Sequence, residues 1–290
     1  MESTTDKNLF KDLEDLGLGK LDNIQIYKEN TEDIANSKKS TKKTLDTLFD
    51  RKLKCPVCEC NFTVRAIRSS SIRMISQDTD LMPRYEGANP LIYDAWVCTK
   101  CGYAGLSNYF RNISHKQIET IKKEICAKWK SKEYPKEYDL DVAIERHKLT
   151  LLNAVVKNAR VSEKAYICLK LAWIYRLKED TTNEINFLNQ ALQGFEKAFE
   201  KESFPIASMD EGTLSYLIGE TYKRIGKPDK ALFWFSKILT CKTAKPRIKD
   251  MTRDQRYTLL EERKKQRPPQ EASINNEKSK KGFIPKLFRT

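Results

Sequence analysis

The sequence predicts a mainly α chain in which a TPR-like helical repeat module follows a small β-rich, zinc-ribbon-like module near the N-terminus. Three observations predict it. Two C-x2-C pairs, Cys55-Pro56-Val57-Cys58 and Cys98-Thr99-Lys100-Cys101, bracket a stretch rich in β-branched and aromatic residues. From Ser114 to about Glu262, apolar residues recur at helical spacing. Within that helical part, one stretch carries the small and large residues of a 34-residue helical repeat.

In chain order, residues 1–44 alternate short apolar clusters (Leu9, Phe10, Leu13, Leu16, Leu18) with Lys, Asp, Asn, Ser and Thr. They are expected to form a mobile arm, lacking apolar surface for a core of their own. Leu45, Leu48 and Phe49 predict a short lead-in helix to the first cysteine pair. The cysteine module is placed at 45–110, with short strands and turns over 62–97 around Pro83, Gly87, Asn89 and Pro90. The helical module is placed at 111–266, with helices near 114–130, 139–158, 162–178, 183–201, 210–225, 228–240 and 247–264. Ser114 with Gln117, and Ser162 before an apolar run, resemble N-caps. Gly226-Lys227-Pro228 is a break, with Pro228 suited to the next first turn. Pro268-Pro269 ends the pattern, and 267–290 is expected to be a basic, disordered tail.

Length and composition bound the function. The 290 residues, 39% of them hydrophobic, suffice for a sizeable core, while 32% charged residues leave room for solvated ends. No apolar run approaches the ~20 residues that span a bilayer, and the polar first residues lack a signal-peptide pattern. Eight cysteines, four of them in two C-x2-C pairs, suit metal binding in a reducing compartment. The cytoplasm is the expected location. The net charge of +14 is uneven. Residues 51–75 carry six basic side chains against one acidic, and the segment from Lys242 onward carries fifteen against six, so the helical middle is nearly neutral.

Each C-x2-C turn presents two sulfurs to one ion about 2.3 Å away, and two turns complete a tetrahedron. Cys55, Cys58, Cys98 and Cys101 are therefore the expected ligands of one zinc ion. Four thiolates close the coordination sphere and leave no position for a catalytic water, which makes the zinc structural. Gly102 follows the second pair, where a turn commonly needs a positive φ. Cys60 stands beside a ligand and is read as a bystander, although exchange with Cys58 is the competing reading. Cys126, Cys168 and Cys241 sit among apolar neighbours and are expected in the core.

Leu214, Ile218, Gly219, Tyr222, Gly226, Ala231, Phe235 and Ile238 reproduce the repeat spacing, and a looser copy begins at Leu171-Ala172 and Tyr175. Stacked repeats of this kind form a concave groove that binds peptides or protein surfaces. The groove-lining positions of the better copy are Tyr216, Glu220, Lys223 and Arg224, equally compatible with an ordinary solvated helix face.

With these residues in place, the chain resembles the uncharacterised bacterial domain-of-unknown-function family 2225 over roughly residues 47–260. The resemblance rests on Leu48-Phe49-Asp50 leading into Cys55-Pro56-Val57-Cys58, on Asp78-Thr79-Asp80 with Tyr85, Asn89-Pro90 and Tyr93, and on Val97-Cys98 through Cys101-Gly102-Tyr103-Ala104. Further on it includes Leu171-Ala172-Trp173-Ile174-Tyr175-Arg176, Tyr216-Leu217-Ile218-Gly219-Glu220, Ala231-Leu232-Phe233-Trp234-Phe235-Ser236 and Arg253-Asp254-Gln255. It implies a zinc knuckle fused to TPR-like helices and brings no activity with it.

The leading functional expectation is a cytosolic interaction or scaffold protein with a protein partner in its helical groove. The alternative is an RNA- or DNA-binding protein, with Arg65, Arg68 and Arg73 near Phe62 and Tyr85 contacting phosphates and stacking bases, aided by the basic tail. Phe283, Ile284, Leu287 and Phe288 among lysines also suit a membrane surface. An enzyme is not expected. Asp78, Asp80, Asp94, His115 and His147 are the candidate groups, and none stands in a recognisable catalytic arrangement. Asp78 and Asp80 alternate by two, as a carboxylate pair on one side of a strand or as a solvated turn.

Overall fold

The computed structural model describes residues 10–18, 26 and 47–266. Among the described residues, three two-stranded antiparallel sheets precede the long helices. Strand β1 (Leu48–Lys54) pairs with β2 (Asn61–Ile67) from Leu48 opposite Ile67 to Lys54 opposite Asn61, and the cysteine turn 55–60 joins them. Strand β3 (Arg73–Gln77) pairs with β4 (Pro83–Glu86) across the turn 78–82. A one-turn helix, α1 (Pro90–Tyr93), leads to β5 (Ala95–Val97), which pairs with β6 (Ala104–Leu106) across the second cysteine turn.

The rest is helical: α2 (His115–Ile121), continuing through a π turn at Lys122–Cys126, then α3 (Leu140–Val156), α4 (Val161–Leu177), α5 (Thr181–Lys201), α6 (Glu211–Arg224), α7 (Pro228–Thr240) and α8 (Pro246–Gln266). Local chemistry sets the starts. Ser114 and Gln117 form a reciprocal capping box on α2, while the Asp139, Asp180 and Asp210 side chains accept from Val142, Asn183 and Thr213 N–H groups at the starts of α3, α5 and α6. Stops are equally local. Asn158, Glu179 and Gly226 follow α3, α4 and α6 with positive φ, the left-handed residue that commonly ends a helix. Ser162 is not the cap of α4. That helix starts at Val161, and the Ser162 N–H and hydroxyl both donate to Glu202.

One buried cluster runs from Phe10 through Val57, Trp96 and Tyr103 to the helical residues Leu149, Trp173, Phe195 and Phe235, so the cysteine region and the helices share a core. Where α6 meets α7, a Cβ on Gly219 would lie 2.6 Å from the Phe235 ring. Only a residue without a side chain lets the two helices approach so closely there.

Two sequence expectations change. The expected lead-in helix at 44–49 is a strand from Leu48, because the ladder with Asn61–Ile67 decides a short apolar run that periodicity alone does not. Within the expected arm at 1–44, Phe10, Leu13, Leu16, Leu18 and Ile26 are buried rather than solvated. Lys11–Leu16 form a 3-10 helix that buries Phe10, Leu13 and Leu16, Ile26 is buried, and Lys148 binds Asp12 at 2.9 Å. The other arm residues and the tail at 267–290 lie outside the described residues.

Candidate metal centre

The two cysteine turns follow one backbone plan. In the first, the Glu59 N–H donates to the Cys55 carbonyl at 3.0 Å and the Cys55 N–H to the Cys60 carbonyl at 3.0 Å. The second repeats this, with Gly102 to Cys98 at 2.9 Å and Cys98 to Tyr103 at 2.8 Å. The residue after each pair, Glu59 or Gly102, has positive φ, +60° and +74°.

These turns bring four sulfurs within 4.8 Å of one another. Cys55 Sγ lies 3.7 Å from Cys101 Sγ, and Cys58 Sγ lies 3.7 Å from Cys98 Sγ. A tetrahedron with legs of about 2.3 Å has edges of roughly 3.8 Å, so the cluster fits one thiolate-bound ion. The charges point the same way. The neighbouring Cys101 and Cys55 thiols pull the Cys98 thiol down. Cys55 is pushed up to about 12, a bond to Cys101 being outweighed by Cys98 and by burial. Cys101 is pushed up as well, by Cys126 first and then by Cys55 and Cys98. Without a cation the four sulfurs cannot all ionise together; a divalent ion removes that conflict. Cys55, Cys58, Cys98 and Cys101 would hold such an ion and complete its coordination sphere.

The second turn is covered. The Trp129 ring lies where a Cβ on Gly102 would stand, 2.5 Å from that position, and its indole N–H donates to the Thr99 carbonyl at 2.9 Å. Helix α3 supports the same turn from the helical side. Asn153 donates to the Gly102 carbonyl at 3.2 Å, and buried Arg146 donates to the Ala95 carbonyl at 2.8 Å.

The family model described as "uncharacterized protein conserved in bacteria", domain-of-unknown-function family 2225, matches residues 48–259. The chain belongs to this family. The match begins in β1 and ends in α8, so it includes both cysteine turns and the helices they pack on. No curated protein and no solved structure matches the chain.

The family match also takes in a charged clamp that spacing did not reveal. Asp78 and Asp80 stand in the turn between β3 and β4, and both reach Arg176 on α4. Asp80 is 2% exposed, accepts from the Trp173 indole at 3.0 Å, and shares Arg176 with Glu184 on α5. Asp78 also takes a two-pronged bond from Arg84, which holds its carboxyl below the usual range. Burial works against the Arg176 charge, and the Asp80 and Glu184 carboxylates outweigh it. The pair is thus neither a solvated turn nor a strand-borne carboxylate pair. It ties the cysteine module to the helices.

The remaining candidates separate. Tyr216 is fully buried near Phe235, and Glu220 is 2% exposed with Thr79 from the β3–β4 turn beside it. Both are therefore buried and do not stand free to meet a macromolecule, whereas Lys223 and Arg224 line a cavity beside that turn. Asp94 is paired with Lys170 at 2.7 Å. His147 is fully buried, with Nδ1 2.8 Å from the Ala143 carbonyl, and His115 is exposed. Phe62 packs in the core against Phe110 rather than offering a stacking face, and Arg65 binds Asp50 and the Lys136 carbonyl. Cys60 is exposed, Cys168 is buried, and Cys126 lies beside Cys101. Among the described residues no helix is long and apolar enough to cross a membrane.

Proposed function

We propose that the chain is a cytosolic interaction or scaffold protein, in which one structural zinc ion fixes the N-terminal module against TPR-like helices that meet a protein partner. The observation that carries this reading is the closed set of four cysteine sulfurs, joined to the helices by a shared core and by the Asp80–Arg176 clamp. Four thiolates leave zinc no open position, so the metal would organise structure rather than activate water. The surface left for recognition lies around Lys223 and Arg224, where the cysteine module and helices α5 and α6 meet.

The test is a reconstituted complex. A partner captured by the full chain, identified and purified, should bind the unmodified chain and bind the Lys223→Ala, Arg224→Ala double variant at least about tenfold more weakly. Such a loss corresponds to 1.4 kcal/mol of binding energy. Unchanged affinity, with zinc and helix content intact, would remove this surface from the account.

A further inference from the structure

At the junction of the cysteine module with α5 and α6 lies a cavity of about 340 Å³. Thr79 and Asp80 come from the β3–β4 turn, Glu184 from α5, and Glu220, Lys223 and Arg224 from α6. Most of its polar groups are already used. Both Asp80 oxygens accept from Arg176, and one accepts from Trp173 as well. Glu184 Oε1 accepts from Arg176 and Arg224, and Lys223 donates to Gln255.

Glu220 is the exception. It is 2% exposed and lines the cavity, yet its Oε1 has no hydrogen-bond partner among the described residues. A buried acceptor left without a donor is costly, which makes it the natural seat for a ligand N–H. Burial pushes the Glu220 carboxyl above its ordinary range, against a hydrogen bond from Thr79 and the nearby Lys223 charge. Facing it at the cavity edge, Lys223 retains further N–H donors, and Arg224, whose side chain is 43% exposed, engages Glu184 through Nε.

The charges around the cavity balance. With the ion pairs behind it included, Asp78, Asp80, Glu184 and Glu220 are matched by Arg84, Arg176, Lys223 and Arg224. A ligand of one sign would add an uncompensated charge, whereas one carrying both signs would not. The volume lies near the lower end of small-molecule pockets. We propose that this cavity is a small-molecule site for an α-amino acid or closely related zwitterion, with the ligand ammonium on Glu220 and its carboxylate on Lys223 and Arg224. The proposal rests on the reading of this junction as the chain's recognition surface and gives that surface a ligand class.

The test uses the full zinc-loaded chain, with calorimetry and thermal unfolding in the presence of each free protein amino acid at millimolar concentration. Matched primary amines without a carboxylate, and matched acids without an amine, serve as comparison probes. At least one amino acid should raise the unfolding midpoint by a few degrees, as ligand linkage requires, and both comparison probes should bind at least about tenfold more weakly. Glu220→Gln, which keeps the shape and removes the charge, should weaken binding about tenfold or more while zinc content and helix signal persist. Arg224→Ala, at the partly exposed edge, should do the same and serves should Glu220→Gln fail to fold. The proposal is overturned if no amino acid binds, if the amine alone binds as well, or if both folded variants bind unchanged. Partner capture that needs Lys223 and Arg224 without any amino acid binding overturns the ligand and leaves the interaction reading standing. Amino acid binding without such capture does the reverse.

Discussion

The two cysteine turns share a backbone plan and differ in what covers them. The first ends on Glu59, which is exposed and adopts the left-handed conformation despite its side chain. The second ends on Gly102, whose missing Cβ leaves room for the Trp129 ring and whose carbonyl accepts from Asn153 on α3. The first turn is held by its own hydrogen bonds and by Cys55 and Val57 in the shared core, with its outer end left to solvent. The second is also built into the helical core. One motif thus serves as a solvent-facing clasp at one end of the cluster and as a buried joint at the other.

The strongest way to break the comparison is to remove a ligand from each side. Cys58→Ser and Cys98→Ser should each take the chain from about one zinc to essentially none, because a four-thiolate site binds with an apparent energy of roughly 10–16 kcal/mol that a three-sulfur remnant does not match. Metal analysis checks this loss. Hydrogen exchange should then separate the sides. Cys58→Ser should deprotect 48–67, whereas Cys98→Ser should also release 126–131, which packs on the second turn. Equal patterns would mean that the cover over the second turn carries no structural weight.

A milder pair of changes tests the fifth residue of each turn. Gly102→Ala meets both the left-handed conformation and the Trp129 ring, and should destabilise the fold by about 2–5 kcal/mol. Glu59→Gly relieves the same conformation, but a freer unfolded chain offsets part of the gain, so it should lie within about 1 kcal/mol of the unmodified chain. Urea unfolding of the two variants measures the contrast. A similar cost at both positions would show that Trp129 is not what requires glycine.

How much of this was legible in sequence follows from the range of each interaction. The two cysteine pairs and the helix starts at Ser114 and Pro228 are set by residues a few positions apart, and spacing reveals them. Trp129 against Gly102 and Arg176 against Asp80 are contacts between distant segments, 96 residues apart for the second pair, and no local pattern announces them. The docked 3-10 helix has its own signal in the sequence. Phe10, Leu13 and Leu16 recur every three residues, the period of that helix, within a segment whose polar content suggested an arm. Tyr216 and Glu220 fit an exposed helix face by spacing alone, yet Tyr216 is buried near Phe235 and Glu220 is covered by Thr79 of the turn at 78–82, a segment far away in sequence.

Helix α3, which reaches the second turn through Asn153, also carries an acid-sensitive group. Burial lowers the His147 ring on α3 to about 4, with the hydrogen bond to Ala143 opposing, while an unfolded imidazole titrates near 6.5. Between those values the unfolded chain binds more protons than the folded one, so this contribution to stability is complete above 6.5 and shrinks as pH falls. The loss should reach about 2 kcal/mol by pH 5. The chain has two histidines, so an NMR titration can follow each ring. His147 should stay neutral through pH 5 in the folded protein. If it protonates near 6.5, its burial in the core is not maintained in solution.

The smallest expected effect sharpens the first turn. Cys60 lies two residues from Cys58, yet its thiol is exposed and outside the sulfur cluster, and its contribution to the turn is the backbone carbonyl that accepts from the Cys55 N–H. Serine preserves that carbonyl. Cys60→Ser should therefore keep about one zinc per chain and change stability by no more than about 0.5 kcal/mol, as exposed substitutions usually do. A slower competing role is also open to measurement. If Cys60 exchanged with Cys58 as a ligand, Cys58→Ser would retain zinc through Cys60, and the Cys58→Ser, Cys60→Ser double variant would lose it. Complete loss in Cys58→Ser alone, with full retention in Cys60→Ser, identifies the first turn as a two-thiolate clasp whose third cysteine acts through its main chain.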